Sequence, residues 1–285
     1  MANFSIIDTH THGYFPGQKD PIGALQRARE AGVIAQVQIG CNEQATSLAL
    51  ALAKKHDDFY ATVGLHPSDV SFVEHPDPEK EYLEKGFISQ AKTIDALFTL
   101  FDTWITENPK KIVGIGECGF DFYHDDREKA LPLQTDVFLR HVALAKKHDL
   151  PLIIHTRNAT GDMIDFFKKY IVGTGVRGVV HCFSEDLESA RFFTEEAGFY
   201  LGIGGIVTYK KSDILRDVVR AIPLEKLITE TDAPLLPPQE FRKKHSTNEP
   251  AALVEVVEKI AEVREEDVEK VAEQLVNNAK VLYRI

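Results

Sequence analysis

Hydrophobic positions along the chain gather into eight short runs rich in β-branched residues: FSIIDTH, VIAQVQIG, YATVGLH, KIVGIGE, LPLIIH, RGVVH, GFYLGIG and KLITETD. Between most of them the apolar positions recur every three to four residues, as in PIGALQRAREAG, LPLQTDVFLRHVALAKKHD, DMIDFFKKYI and SDILRDVVRAI. That spacing is the period of a helix with one buried face. Strand alternating with helix predicts a parallel sheet with helices outside, and near-continuous apolar strands predict burial on both sheet faces. Eight such units in 285 residues match a single (β/α)8 barrel, one domain over residues 1–285. The charged segment from Pro67 to Gly86, which carries three prolines, reads as an extended βα loop. From about Asn248 onward the pattern is helical and closes the barrel from outside.

Composition narrows the class. With 44% apolar and 27% charged residues the chain can bury a large core. It shows neither a basic-then-apolar leader nor an apolar run of about 18 residues, so neither a secretion signal nor a membrane span is expected. Cys41, Cys118 and Cys182 are odd in number and have no disulfide-framework or zinc-ribbon spacing, which fits a reducing cytoplasm. A net charge of -11 argues against a broad electrostatic grip on polyanions, so a nucleic-acid partner has to be met locally.

The chemistry lies at the ends of the runs. His10 and His12, His66, Glu117, His155, His181 and Asp232 each stand at the carboxyl end of one. In a barrel those ends converge on one face, where barrel enzymes carry their active sites. His10 and His12 are two apart, so strand alternation sends both to one side, shared with Asp8. Paired imidazoles can chelate one ion, and a carboxylate such as Glu117 can bridge two ions about 3.5 to 4 Å apart. Gly116 and Gly119 flank Glu117 and leave the chain free to pass close to an ion. The set predicts two divalent ions, of Mg, Mn or Zn type, with His10, His12, Glu117 and Asp232 around one and Glu117, His155 and His181 around the other. A histidine bonded to backbone, or a turn aspartate, explains any one of these alone, but six such residues from five strand ends ask for a common cause.

The motifs DTHTH, GLHP, GECGFDFY, IIHTRNA, VVHCFS, ETDAPLL and NEP, in that order across essentially the whole chain, resemble the TatD family of metal-dependent deoxyribonucleases. The resemblance implies a (β/α)8 barrel, two divalent cations and exonuclease or related DNase activity. It assigns the same six ligands and adds no metal residue. Thr11, Gly13 and Glu185 depart from the usual pattern, and HSTNEP lacks the arginine often found before NEP. The last two departures bear on substrate grip, and Arg242, Lys243 and Lys244 are candidates to supply the missing charge.

The expected reaction is hydrolysis of DNA phosphodiester bonds, with RNA as a further substrate class, by a two-metal-activated water, with Asp232 as base and Glu117 as bridging ligand. Arg157 is the expected clamp on a phosphate oxygen and His66 a substrate or supporting contact. Phe120, Phe122 and Tyr123 are candidate stacking surfaces for a terminal base, with core packing the competing role. The acidic surplus points to single-stranded or terminal substrates. The alternative is an amidohydrolase-like enzyme on the same barrel that cuts an ester, amide or lactone such as a misacylated tRNA.

Overall fold

The structure is a computed structural model that describes residues 3–14, 20–70 and 91–285. Its first half runs β1 (Ile6–Thr11), α1 (Pro21–Glu30), β2 (Val33–Gln38), α2 (Glu43–Lys55), β3 (Phe59–Val63), α3 (Ile94–Glu107), β4 (Ile112–Asp121) and α4 (Arg127–His148). The second half runs β5 (Leu152–Arg157), α5 (Thr160–Tyr170), β6 (Gly178–Val180), α6 (Leu187–Arg191), β7 (Tyr200–Ile203), α7 (Asp213–Ala221), β8 (Leu227–Thr229), α8 (Leu253–Arg264) and α9 (Val268–Tyr283). Each of the eight apolar runs overlaps one strand. Several helices start where the chain supplies a side-chain oxygen to an orphan backbone N–H. Asn42, Thr93, Asp126, Asp186 and Asp267 cap α2, α3, α4, α6 and α9 in this way. The final helical stretch is two helices, because Glu265 turns left-handed and ends α8.

The sheet order is β1 to β8 in sequence, every neighbouring pair parallel, which is a (β/α)8 barrel. The seam between β1 and β8 is closed largely by side chains. Thr9 donates to the Thr229 carbonyl, Thr229 to the Ile7 carbonyl, and Thr231 donates through both its amide and its hydroxyl to Asp8. At its upper end the Asp232 amide donates to the His10 carbonyl and the His12 amide to that of Ala233. Ile153 and Val179, two residues before His155 and His181, pack with Val37, Val113 and Ile228 and with Leu282 and Tyr283 of α9. The barrel is therefore a filled core, and the open space lies at its carboxyl end. The segment expected as an extended loop starts with a short 3-10 turn, Pro67–Asp69, and residues 71–90 lie outside the described residues. Among the described residues no helix is long and apolar enough to cross a membrane.

Candidate metal centre

Glu117 is the hub of the carboxyl end. Its carboxylate lies 2.7 Å from His155 Nδ1, 3.5 Å from His10 Nε2, 3.6 Å from His66 Nε2 and 3.9 Å from His181 Nε2. Asp232 stands across from it, 3.2 Å from His12 Nε2 and 3.7 Å from His10 Nε2. The rings of His10 and His181 stack at 3.4 Å. The structure thus brings His10, His12, His66, Glu117, His155, His181 and Asp232 into one cluster, although they are spread over six strand ends. Arg157 does not join it: its guanidinium sits at the rim, 3.9 Å over the ring of Tyr123.

Gly116 and Gly119 lie where β4 and β5 come close. Both have strongly positive φ, and a Cβ would meet the Ile153 carbonyl oxygen at 2.5 Å and that of His155 at 2.1 Å. They let β4 press against β5. A register shift between Ile115 and Cys118 accompanies them, and β4 runs on to Asp121. Asp121, not singled out in the sequence reading, accepts from His124 at 2.9 Å and from His155 Nε2 at 3.1 Å. Glu230 is the other carboxylate that reading missed. It accepts from the Cys182 amide at 2.5 Å and lies 2.9 Å from His181 Nδ1, close enough for an ion pair though off the line of a good hydrogen bond. Signals existed for both: Asp121 sits inside GECGFDFY, and Glu230 stands two before Asp232 in the run KLITETD.

The charge balance of this end is unusual. Asp8, Glu117, Asp121, Glu230 and Asp232 are all buried, and no lysine or arginine is buried among the described residues. Buried charge is tolerated only when it is paired or bound to metal. Asp8 is satisfied by Thr231, but the other four have mainly imidazoles to face. The buried charges divide the histidines. Burial, then His181, pushes His10 down, and burial, then His155, pushes His66 down to about 3. Burial also opposes charge on His181, yet Glu230 and then Glu117 outweigh it and hold the ring up at about 10. For Glu117 burial favours the neutral acid, while His66 and His181 overcome it and keep the carboxyl well below its usual range.

Several nitrogens fit a cation better than any protein partner. Both ring nitrogens of buried His10 lack a hydrogen-bond partner. Tyr14 donates its hydroxyl proton to the Ile39 carbonyl at 2.6 Å, so its oxygen accepts from His12 Nδ1 at 3.1 Å. That tautomer turns the Nε2 lone pair of His12 toward the Asp232 carboxylate, an arrangement that a cation between them relieves. Two tight triads of donor atoms, His10–His12–Glu117 and His10–His181–Asp232, overlap at His10. A third joins His66, Asp121 and His155. His66 differs from the rest, because the Ser68 amide donates to its Nδ1 at 3.2 Å and leaves Nε2 to carry the proton toward Glu117. It is placed as a donor rather than as a ligand.

The cluster forms the floor of an open cavity of about 670 Å³. His124 and Arg157 stand on one side of its mouth, and Ile206, Leu235 and Leu236 line another. Of the three aromatic residues after Glu117, Phe120 is buried and Phe122 packs on the core, whereas Tyr123 is 60% exposed at the rim.

The chain is similar over nearly its whole length to proteins of one kind. It is 34% identical over 283 residues to the uncharacterized metal-dependent hydrolase YabD of Bacillus subtilis, covering 98% of this chain and 99% of that one. It is 33% identical over 273 residues to the "3'-5' ssDNA/RNA exonuclease TatD" of Erwinia amylovora, with 93% and 94% covered. Its fold superposes on the crystal structure of the TatD homologue YjjV of Escherichia coli with a TM-score of 0.83 at 30% identity, over 98% of both chains. The family model described as TatD related DNase matches residues 7–284. On this evidence the chain belongs to the TatD family of metal-dependent hydrolases.

Proposed function

We propose that residues 1–285 act as a single metal-dependent phosphodiesterase domain that shortens DNA or RNA from single-stranded ends. The observation that carries the proposal is the excess of buried carboxylate over buried cation at the barrel mouth, beside imidazole nitrogens that no protein atom satisfies. His10, His12, Glu117 and Asp232 would hold one divalent ion, and Glu117, His155 and His181 a second. Ions held there supply Lewis acidity toward a phosphate oxygen and lower the pKa of water. The remaining tasks fall to side chains. Asp232, held below its ordinary carboxylate range despite its burial, is placed to take the proton of the attacking water. Asp121 and Glu230 fix the far sides of His155 and His181. His66 can donate from Nε2, and Arg157, held flat over Tyr123, presents its fork to a phosphate oxygen at the rim. The cavity suits a nucleotide-sized portion of substrate, within the roughly 300 to 1,000 Å³ usual for small-molecule sites. The name borne by the Erwinia relative supports the same substrate class and strand state.

The test is to incubate the Mg²⁺ and Mn²⁺ forms with end-labelled single- and double-stranded oligonucleotides, and in parallel with esters, lactones and an aminoacylated tRNA. A ladder growing from one end of the single strands supports the proposal. Turnover confined to the carbonyl substrates rejects it in favour of the ester, amide or lactone alternative.

A further inference from the structure

The chain carries -11 net charge, yet one part of its surface is basic. Lys210 and Lys211 follow β7, and Arg242, Lys243 and Lys244 follow β8, all five exposed. Lys243 pairs with Glu240. Lys210, Lys211, Arg242 and Lys244 have no ion pair among the described residues. Four exposed cations on two adjoining loops, with Glu240 already taken up by Lys243, leave a local positive surplus open to an anionic partner.

The two loops that carry them are tied together. Tyr209 donates its hydroxyl proton to the Pro237 carbonyl at 3.0 Å, and the Gln239 amide donates to Thr208 Oγ1 at 2.7 Å. Arg216 donates to the carbonyls of Val207, Tyr209 and Lys210 and so pins the first loop from below. The Arg242 guanidinium lies 5.4 Å over the Tyr209 ring, and Phe241 stacks on His245 at 4.1 Å. The second loop is continuous with the metal centre, since Asp232 leads through Leu235 and Leu236, on the cavity wall, to Arg242 ten residues on. Arginine over tyrosine occurs twice at the carboxyl end of the barrel, Arg157 at the end of β5 on Tyr123 after β4, and Arg242 after β8 on Tyr209 after β7.

We propose that the β7 and β8 loops form a strand-holding subsite, in which Lys210, Lys211, Arg242 and Lys244 take successive phosphates of a single-stranded nucleic acid whose end lies in the cavity. This rests on the nuclease reading and deepens it, because it states where the rest of the chain goes. A single strand fits better than a duplex: the patch lies beside aromatic faces and an apolar lip, which suit unstacked bases. At physiological salt, charges beyond roughly 8 Å are screened, so a local patch outweighs the acidic remainder of the surface.

The test compares the wild type with K210E/K211E/R242E/K244E, and with the corresponding glutamine variant to separate charge loss from charge reversal. Matching melting temperatures confirm that both are folded. Affinity for a fluorescein-labelled fifteen-nucleotide oligothymidylate is read by anisotropy in EDTA, where no metal-dependent cutting occurs. We expect binding at low salt to weaken at least thirty-fold in the glutamate variant and less in the glutamine one. The slope of log Kd against log salt should fall by about 3, from four contacts at about 0.7 each. In steady state with Mn²⁺, the ratio of KM for the fifteen-mer to KM for a dinucleotide should rise at least ten-fold. Unchanged Kd and salt slope would overturn the subsite, and so would poly-glutamate competing as well as the oligonucleotide. Failure of the nuclease reading looks different: no oligonucleotide is cut under any metal, while patch-dependent anisotropy persists.

Discussion

Two buried polar regions of the same barrel are built on opposite terms. Along the β1–β8 seam and behind β3, the buried ionisable groups are hydrogen-bonded. Asp8 accepts from the amide and hydroxyl of Thr231, and His141, fully buried in α4, accepts from the Leu65 amide at 3.0 Å while its Nδ1 lies 2.8 Å from the Val137 carbonyl. At the mouth, a few residues further along the same strands, His10 has no partner at either nitrogen, and carboxylates crowd around Glu117 and Asp232 without a buried lysine or arginine. The difference teaches how to separate structure from chemistry in this fold. Hydrogen-bonded Asp8 and His141 hold elements in place, whereas the unsatisfied imidazole of His10 at the mouth is left for a ligand to complete.

That contrast can be broken by mutation on either side of it. The largest effect should come from Glu117→Ala, which removes the hub shared by four histidines. Hydrolysis of oligonucleotides should fall about a thousand-fold or more, roughly 4 kcal/mol, while circular dichroism stays unchanged. Metal should act on stability in the same region: Mn²⁺ or Zn²⁺ at a hundred times its Kd should raise the unfolding free energy of chelated protein by about 2.7 kcal/mol, read by denaturant melts. Asp8→Ala belongs to the saturated side. It strands the amide and hydroxyl of Thr231 and should cost about 2 kcal/mol with or without metal.

His141 gives the saturated side a pH signature. Burial lowers its pKa to about 4 from the ordinary 6.5, so the folded protein holds the ring neutral. The unfolded chain binds more protons between those values, so this contribution is present above about 6.5 and is lost as pH falls toward 4. His141→Leu should flatten the stability profile across that window and lower stability at neutral pH by about 1 to 2 kcal/mol, because the Leu65 amide loses its acceptor. The smallest expected effect is at the rim. Arg157→Ala should raise KM for oligonucleotides about ten-fold and leave melting unaltered, as an exposed clamp contributes to binding and not to packing.

The barrel was legible because each strand is an apolar run bounded by polar residues, and seven chemically marked positions close those runs. What the sequence could not display is contact between strands. Glu230 reaches the Cys182 amide on the far side of β7, and no periodicity in either segment announces that partnership. Asp121 was hidden because Gly116 and Gly119 shift β4 against β5 and lengthen it by four residues past Glu117. His141 lies in a helix whose pattern marks it only as a buried face. The break between the two final helices is a backbone turn at Glu265, a residue type that favours helices.

The most direct measurement is calorimetric titration of chelated protein with Mn²⁺ and with Zn²⁺, paired with elemental analysis of protein purified without chelator. The account predicts two saturable equivalents per chain, with at least one lost in Glu117→Ala and in Asp232→Asn. Wild-type protein that takes up no metal by either method, or an unchanged stoichiometry in both variants, would contradict it.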